Sequence, residues 1–275
     1  VLDEAWVLLV SALRSATTAA YSRLRLALGD NFGPRHPPKQ SRRIVPFDAI
    51  AAQRAPRAPP PQLIPKIVSG LAHQAALSAS SLVEFRLVGL RVGPEGAGKV
   101  ATSLQACMGL RCLQLDGSDI GNAGLHELVG ALRRLPALES VSLKRAAITN
   151  GAAEDLGKLV SGNVSSRHWE ETLRRDTVRG DGPPALYSLC LAENPIGDAV
   201  VRALLQPEAA RASLRALDLT ATAVSRDGAS DLLHAVASAD ALRRVVLTRT
   251  PAARYFVDAG TSGDSHVGID ISDCG

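Results

Sequence analysis

Aromatic side chains are scarce: four Phe, three Tyr and two Trp make up 3% of the 275 residues. The interior must therefore be filled with aliphatic residues. Four cysteines, Cys107, Cys112, Cys190 and Cys274, are too few and too dispersed for a disulfide-stapled scaffold, and no Cys-x-x-Cys pair suggests a zinc clip. Such usage fits a reducing compartment. No apolar run approaches the roughly 18 residues needed to cross a bilayer. Ala5 to Val10 is apolar, but it follows Asp3 and Glu4 instead of a basic stretch, so a secretory leader is not expected. With 46% hydrophobic and 21% charged residues the composition is globular, which excludes collagen, wholesale disorder and a membrane bundle. The length suits one or two domains with a large core, and a cytoplasmic protein is expected.

Signatures of catalysis are missing as well. The six histidines form no His-Glu-x-x-His or other ligand spacing, no Gly-x-Ser-x-Gly elbow occurs, and no cysteine has a recognisable histidine partner. Gly93-Pro-Glu-Gly-Ala-Gly98-Lys99-Val100 nearly spells a phosphate-cradling loop, but Val100 stands where a hydroxyl would hold magnesium. No catalytic, cofactor-binding or metal-ligating residue is assigned. His126 and His234 are expected on solvated helix surface, and Cys107 and Cys112 as small buried hydrophobes near one turn.

A repeat is what the chain does have. Leu-x-x-apolar-x-apolar begins at Leu82, Leu110, Leu138, Leu186, Leu214 and Leu242, at intervals of 28, 28, 48, 28 and 28 residues. A further apolar residue follows in each unit, at Val92, Ile120, Ile148, Ile196, Val224 and Ala252. Alternation at Leu113 and Leu115 puts both side chains on one strand face, while Gly124, Leu128 and Leu132 recur every four residues, as on one helix face. A strand and a helix in about 28 residues cannot bury their apolar faces alone, so successive units must stack.

This pattern resembles the leucine-rich-repeat family, and its 28-residue length with a helical second half is similar to the ribonuclease-inhibitor-like subclass. Leu186-Tyr-Ser-Leu189-Cys-Leu191-Ala-Glu-Asn194-Pro-Ile196-Gly197 is the best copy. The resemblance implies an α/β solenoid: a curved parallel sheet with helices outside it, spanning residues 1–275 as a single domain. In the family an Asn or Cys after the strand caps backbone groups. Here those positions hold Leu90, Ser118, Ala146, Asn194, Thr222 and Thr250, so a weak ladder is expected, with irregularity around Leu90 and Ala146.

Ala5, Leu9 and Leu13 fit the helical half of an earlier unit, Leu26 and Leu28 with Asn31 a strand and its turn, and Ile269, Ile271 and Cys274 a last strand and turn. The chain is thus expected to be a fragment of a longer solenoid. Two insertions interrupt the array. Residues 33–62 are proline-rich and basic: from Pro34 to Lys66 seven bases face only Asp48, although the whole chain carries just +4. Residues 161–183 supply the extra length of the long interval, and a helix is expected near Ile64 to Leu77.

Strand residues between the buried leucines point away from the helices. With the positions just after the strands, the charged ones are Glu84, Arg86, Asp116, Lys144, Arg145, Glu193, Asp218, Arg244 and Arg249, five bases against four acids. A mixed-charge, nearly neutral sheet suits a protein surface, where charge pattern sets specificity and approach rate. These nine residues are the candidate partner-binding set. The resemblance implies a non-enzymatic scaffold for protein partners, alone or within a larger assembly, in cytoplasmic, cytoskeletal or ciliary settings. The alternative is a regulator of a small GTPase, since GTPase-activating proteins with this fold exist. A membrane- or nucleic-acid-associated role through the Pro34 to Lys66 arm is the weaker third reading; nucleic acid and small-molecule substrates are not expected as partners.

Overall fold

The computed structural model describes residues 23–27, 61–161, 186–206, 214–238, 242, 244–253 and 268–270. Eight strands occur there: β1 (Arg23–Ala27), β2 (Glu84–Val88), β3 (Cys112–Gln114), β4 (Ser140–Ser142), β5 (Ser188–Cys190), β6 (Ala216–Asp218), β7 (Arg244–Val246) and β8 (Gly268–Asp270). They form a single open sheet in strict sequence order, and every pairing is parallel. The helices are α1 (Ile64–Leu77), α2 (Gly93–Leu104), α3 (Gly121–Leu132), α4 (residues 153–161, entered through a 3-10 turn at Asn150–Ala152), α5 (Asp198–Leu205) and α6 (Arg226–Ser238). One strand and one helix per unit, each unit paired only with its neighbours, make an α/β stack of the solenoid kind.

The hydrophobic period dictates this arrangement. Phe85, Leu113, Val141, Leu189, Leu217 and Val245 are cross-strand partners in register, and all are buried. So are the unit-opening Leu82, Leu110, Leu138, Leu186, Leu214 and Leu242. Each such leucine contributes roughly 1.5–3 kcal/mol of burial, and one continuous core joins strands to helices. Where α2 meets α3, a Cβ on Gly124 would lie 2.9 Å from Ile120 Cβ and 3.0 Å from Ala97 Cβ, so the absent side chain sets how closely the helices approach.

At the first strand the register corrects the sequence expectation. Leu24 and Leu26, not Leu26 and Leu28, pair with Phe85 and Leu87. Leu24, Leu26 and Leu28 alternate, so a period of two fits either choice, and pairing with β2 decides between them. At the other end Ile269 pairs with Val245, as its spacing suggests. The proposed helix at residues 1–14, Asn31, Ile271 and Cys274 lie outside the described residues, as do the 33–62 insertion up to residue 60 and the 161–183 insertion beyond Ser161.

The residue before each capping position is left-handed: Gly89, Gly117, Arg145, Glu193, Ala221 and Arg249 have φ of 74, 68, 51, 57, 53 and 59°. Each of the first five donates its N–H to the next unit, at Asp116, Lys144, Ala192, Thr220 and Thr248 respectively, over 2.7–2.9 Å. The capping ladder is better connected than its composition suggests. Ser118, Thr222 and Thr250 each donate a hydroxyl to the carbonyl three residues back, Leu115, Leu219 and Leu247. Ala146 has no such group, and Asn194 of the next unit replaces it. The Asn194 amide donates to Leu143 O at 2.8 Å as well as to its own Leu191 O at 2.9 Å, and its oxygen accepts from Ala146 N and Ile148 N at 2.9 and 3.1 Å. The irregularity expected at Ala146 is therefore healed from the neighbouring coil.

A second side-chain ladder runs along the helix starts. Asn122 Oδ1 accepts from Thr149 N at 2.9 Å, Asn150 Oδ1 from Gly197 N at 2.6 Å, and Asp198 Oδ1 from Ser225 N at 2.8 Å. Each link reaches one coil forward, so unpaired donors at one turn are satisfied by the unit before it.

Candidate functional site

The strands bury the middle residue and leave the flanking ones half-exposed on the face opposite the helices. That geometry sorts the nine candidates into distinct neighbourhoods. On β2, Glu84 and Arg86 approach each other, with Arg86 Nε 3.4 Å from Glu84 Oε2 but without a hydrogen bond at that nitrogen. Across the turns after β4 and β5, Glu193 gathers two bases. Lys144 Nζ is 3.0 Å from its Oε1, while Arg145 binds Oε2 through Nε at 2.8 Å and through Nη2. Burial raises the Glu193 carboxyl, yet hydrogen bonds from Lys144 and Arg145 and their charges outweigh it and hold the group below its ordinary range. Lys144 is raised in turn, chiefly by its hydrogen bond to Glu193.

The two aspartates are held by neutral donors. Asp116 Oδ1 accepts from Ser142 Oγ at 2.7 Å and Lys144 N at 3.0 Å, and Oδ2 from Gln114 Nε2 at 2.5 Å. Asp218 Oδ1 accepts from Thr220 N and Oγ1 at 2.9 and 2.6 Å, and Oδ2 lies 3.6 Å from Cys190 Sγ. Neither carboxylate has a base within ion-pair distance among the described residues. Arg244 and Arg249, on and just after β7, are exposed and stand apart from the Glu193 group. The structure thus unites Lys144, Arg145 and Glu193, pairs Glu84 with Arg86, and spreads the others along the sheet.

Several other sequence candidates fall into structural roles. Val100 and Leu104 are buried, Gly96 faces Val92 and Val68, and Lys99 Nζ turns to Ser69 Oγ at 3.3 Å, so the loop that resembles a phosphate cradle is the start of a packed helix. His126 is exposed, its Nδ1 3.1 Å from Asp155 on the neighbouring coil. Cys107 is buried and its thiol is pushed up to about 11 by burial. Cys112, expected beside it in the core, instead stands half-exposed on the open face with Cys190, because its position in β3 is a flanking one.

Sequence reasoning passed over a row one residue upstream of the strands. Arg111, Glu139, Tyr187 and Arg215 occupy it, and Tyr187 is 40% exposed despite its size. Strict alternation assigns these positions to the buried side. The chain arrives there from a turn, before the pleat begins, and the unit-opening leucine next to each takes the inward place. Among the described residues no helix is long and apolar enough to cross a membrane. Neither a protein-family model nor a curated protein matches the chain.

Proposed function

We propose that the chain is a non-enzymatic scaffold, a leucine-rich-repeat solenoid of the ribonuclease-inhibitor-like kind, that binds a partner protein on the open face of its sheet. The observation that carries this reading is the sheet itself: parallel strands side by side present rows of half-exposed, mostly polar side chains. Parallel strands lie about 4.8 Å apart whereas packed helices need 8–10 Å, so a one-strand, one-helix stack bends with its sheet on the inside. A bent, rigid, mixed-charge surface matches a convex protein patch better than a small molecule, which needs an enclosed pocket. Cys107 and Cys190, thiols outside any disulfide, favour work in a reducing, cytoplasmic setting.

The test is affinity capture at physiological salt with the whole chain, its Arg86→Glu plus Lys144→Glu form, and an Arg134→Glu control at the exposed turn after α3. A partner retained by the parent and the control but lost from the double variant supports the reading. Retention by the double variant, or loss only when residues 34–62 are deleted, overturns it. Acceleration of GTP hydrolysis when a purified small GTPase is added would replace the scaffold with a regulator.

A further inference from the structure

The row upstream of the strands forms a rim along one side of the open face. Its members are neighbours through their backbones: Glu139 N donates to Arg111 O at 2.9 Å, Tyr187 N to Glu139 O at 2.9 Å, and Arg215 N to Tyr187 O at 2.8 Å. Arg111 and Glu139 neutralise one another, Nη1 to Oε1 at 3.2 Å. Beyond them the rim changes character. Tyr187 is exposed, and Arg215 beside it is exposed with no ion pair among the described residues. Arg244 follows on the next strand, its N–H donating to Arg215 O at 2.9 Å and its side chain exposed. Inboard of this group the register places Ser188 and Ala216, both short, so nothing tall obstructs approach from the sheet side.

We infer that Tyr187 and Arg215, with Arg244 alongside, anchor an acidic segment of the partner protein, a stretch in which carboxylates flank an apolar side chain. The inference rests on the scaffold reading above and gives its partner a chemistry. An exposed guanidinium binds a carboxylate through two parallel hydrogen bonds, and tyrosine offers a large body at low cost in side-chain entropy, which is why these two residue types dominate binding hot spots. The rim's backbone N–H groups are already spent on neighbouring strands, so side chains alone do the recognising and strand addition is excluded there. A long polyanion fits poorly. Running a nucleic-acid strand or an anionic bilayer over this face would bring phosphates against Glu84, Asp116, Glu193 and Asp218, whereas a short acidic protein segment confined to the rim avoids them.

A random peptide library displayed on phage and selected on the immobilised whole chain tests this. Enrichment of sequences with two or more carboxylates around an apolar residue is expected. A labelled peptide from that pool should bind about ten-fold more weakly to Tyr187→Ala and to Arg215→Glu, with Arg134→Glu unchanged and Arg215→Lys intermediate. Circular dichroism keeps the comparison to folded variants, since both rim side chains are exposed. No enrichment, enrichment of basic or neutral sequences, or binding indifferent to both rim variants overturns the inference. So does tighter binding of single-stranded DNA or of phosphatidylserine vesicles that is lost in Arg215→Glu. Failure here while Arg86→Glu plus Lys144→Glu still abolishes partner capture rejects the rim and leaves the scaffold standing; loss of capture by neither set of variants rejects both.

Discussion

Replacing Asn194 with alanine should be the most damaging single polar substitution in the described coils. The side chain is buried; its oxygen accepts from Ala146 N and Ile148 N, and its two amide protons are shared among Leu143 O, Leu191 O and, more weakly, Ala192 O. At a net of about 1 kcal/mol per hydrogen bond, with more for donors left dry, the loss is about 3–5 kcal/mol. Asn194→Thr should keep only the bond to Leu191 O, as Thr222 does with Leu219 O at 2.7 Å, and lose about 2–3 kcal/mol. Adding Ala146→Ser to that variant supplies a hydroxyl for Leu143 O, in the way Ser118 serves Leu115 O, and should recover about 1 kcal/mol. Urea denaturation gives the totals, and amide hydrogen exchange gives the location: protection at Ala146 and Ile148 should fall first in both single variants. A loss under about 1 kcal/mol, or no recovery in the double variant, would refute the claim that one carboxamide caps two coils.

The left-handed turn position offers a paired test. Gly117→Ala puts a Cβ at φ 68° and 3.4 Å from Gly89 Cα, and should cost about 1–2 kcal/mol, whereas Ala221→Gly at φ 53° relieves strain and should gain about 0.5 kcal/mol in thermal or urea unfolding. Because the Glu193 carboxyl titrates lower when folded, the ion pairs with Lys144 and Arg145 stabilise the fold above the carboxyl's ordinary value of 4.5 and lose that contribution as pH falls through the lowered one. Glu193→Gln should therefore flatten the acid limb of a stability-against-pH curve without changing its shape above neutrality. Cys107, with its thiol at about 11, should resist a thiol reagent at pH 8 until the chain unfolds, which mass spectrometry of the labelled peptides would detect.

What could be read from the chain was whatever recurs at a fixed interval. The leucines at 82, 110, 138, 186, 214 and 242 gave strand order, register and core, and Ile64 to Leu77 emerged as a helix with those bounds. Asn122, Asn150 and Asp198 share that interval too, and their ladder was there to be noticed as hydrogen-bonding residues in phase with the leucines. Asn194 reaching back to cap Ala146 was not legible, since a missing hydroxyl in one coil gives no hint that its neighbour's side chain turns around. The left-handed Arg145, Glu193, Ala221 and Arg249 were equally hidden, as these residue types carry no preference for positive φ. Of the candidate surface, the charged strand residues were foreseeable from alternation, but grouping Lys144 and Arg145 on Glu193 depends on a twenty-residue-longer interval closing up in space. Tyr187 and Arg215 escaped because they sit just where alternation breaks down.

The N–H groups of Gly89, Gly117, Arg145, Glu193 and Ala221 lean on the carbonyls of the following coil, while those of Arg111, Glu139, Tyr187, Arg215 and Arg244, where the strands open, lean on the preceding one. Every inner coil is thus stitched from both sides, and cutting away either neighbour leaves donors that have a single proton and nowhere to place it. Trimmed by one coil at either end, the stack should fray at the fresh face in both cases.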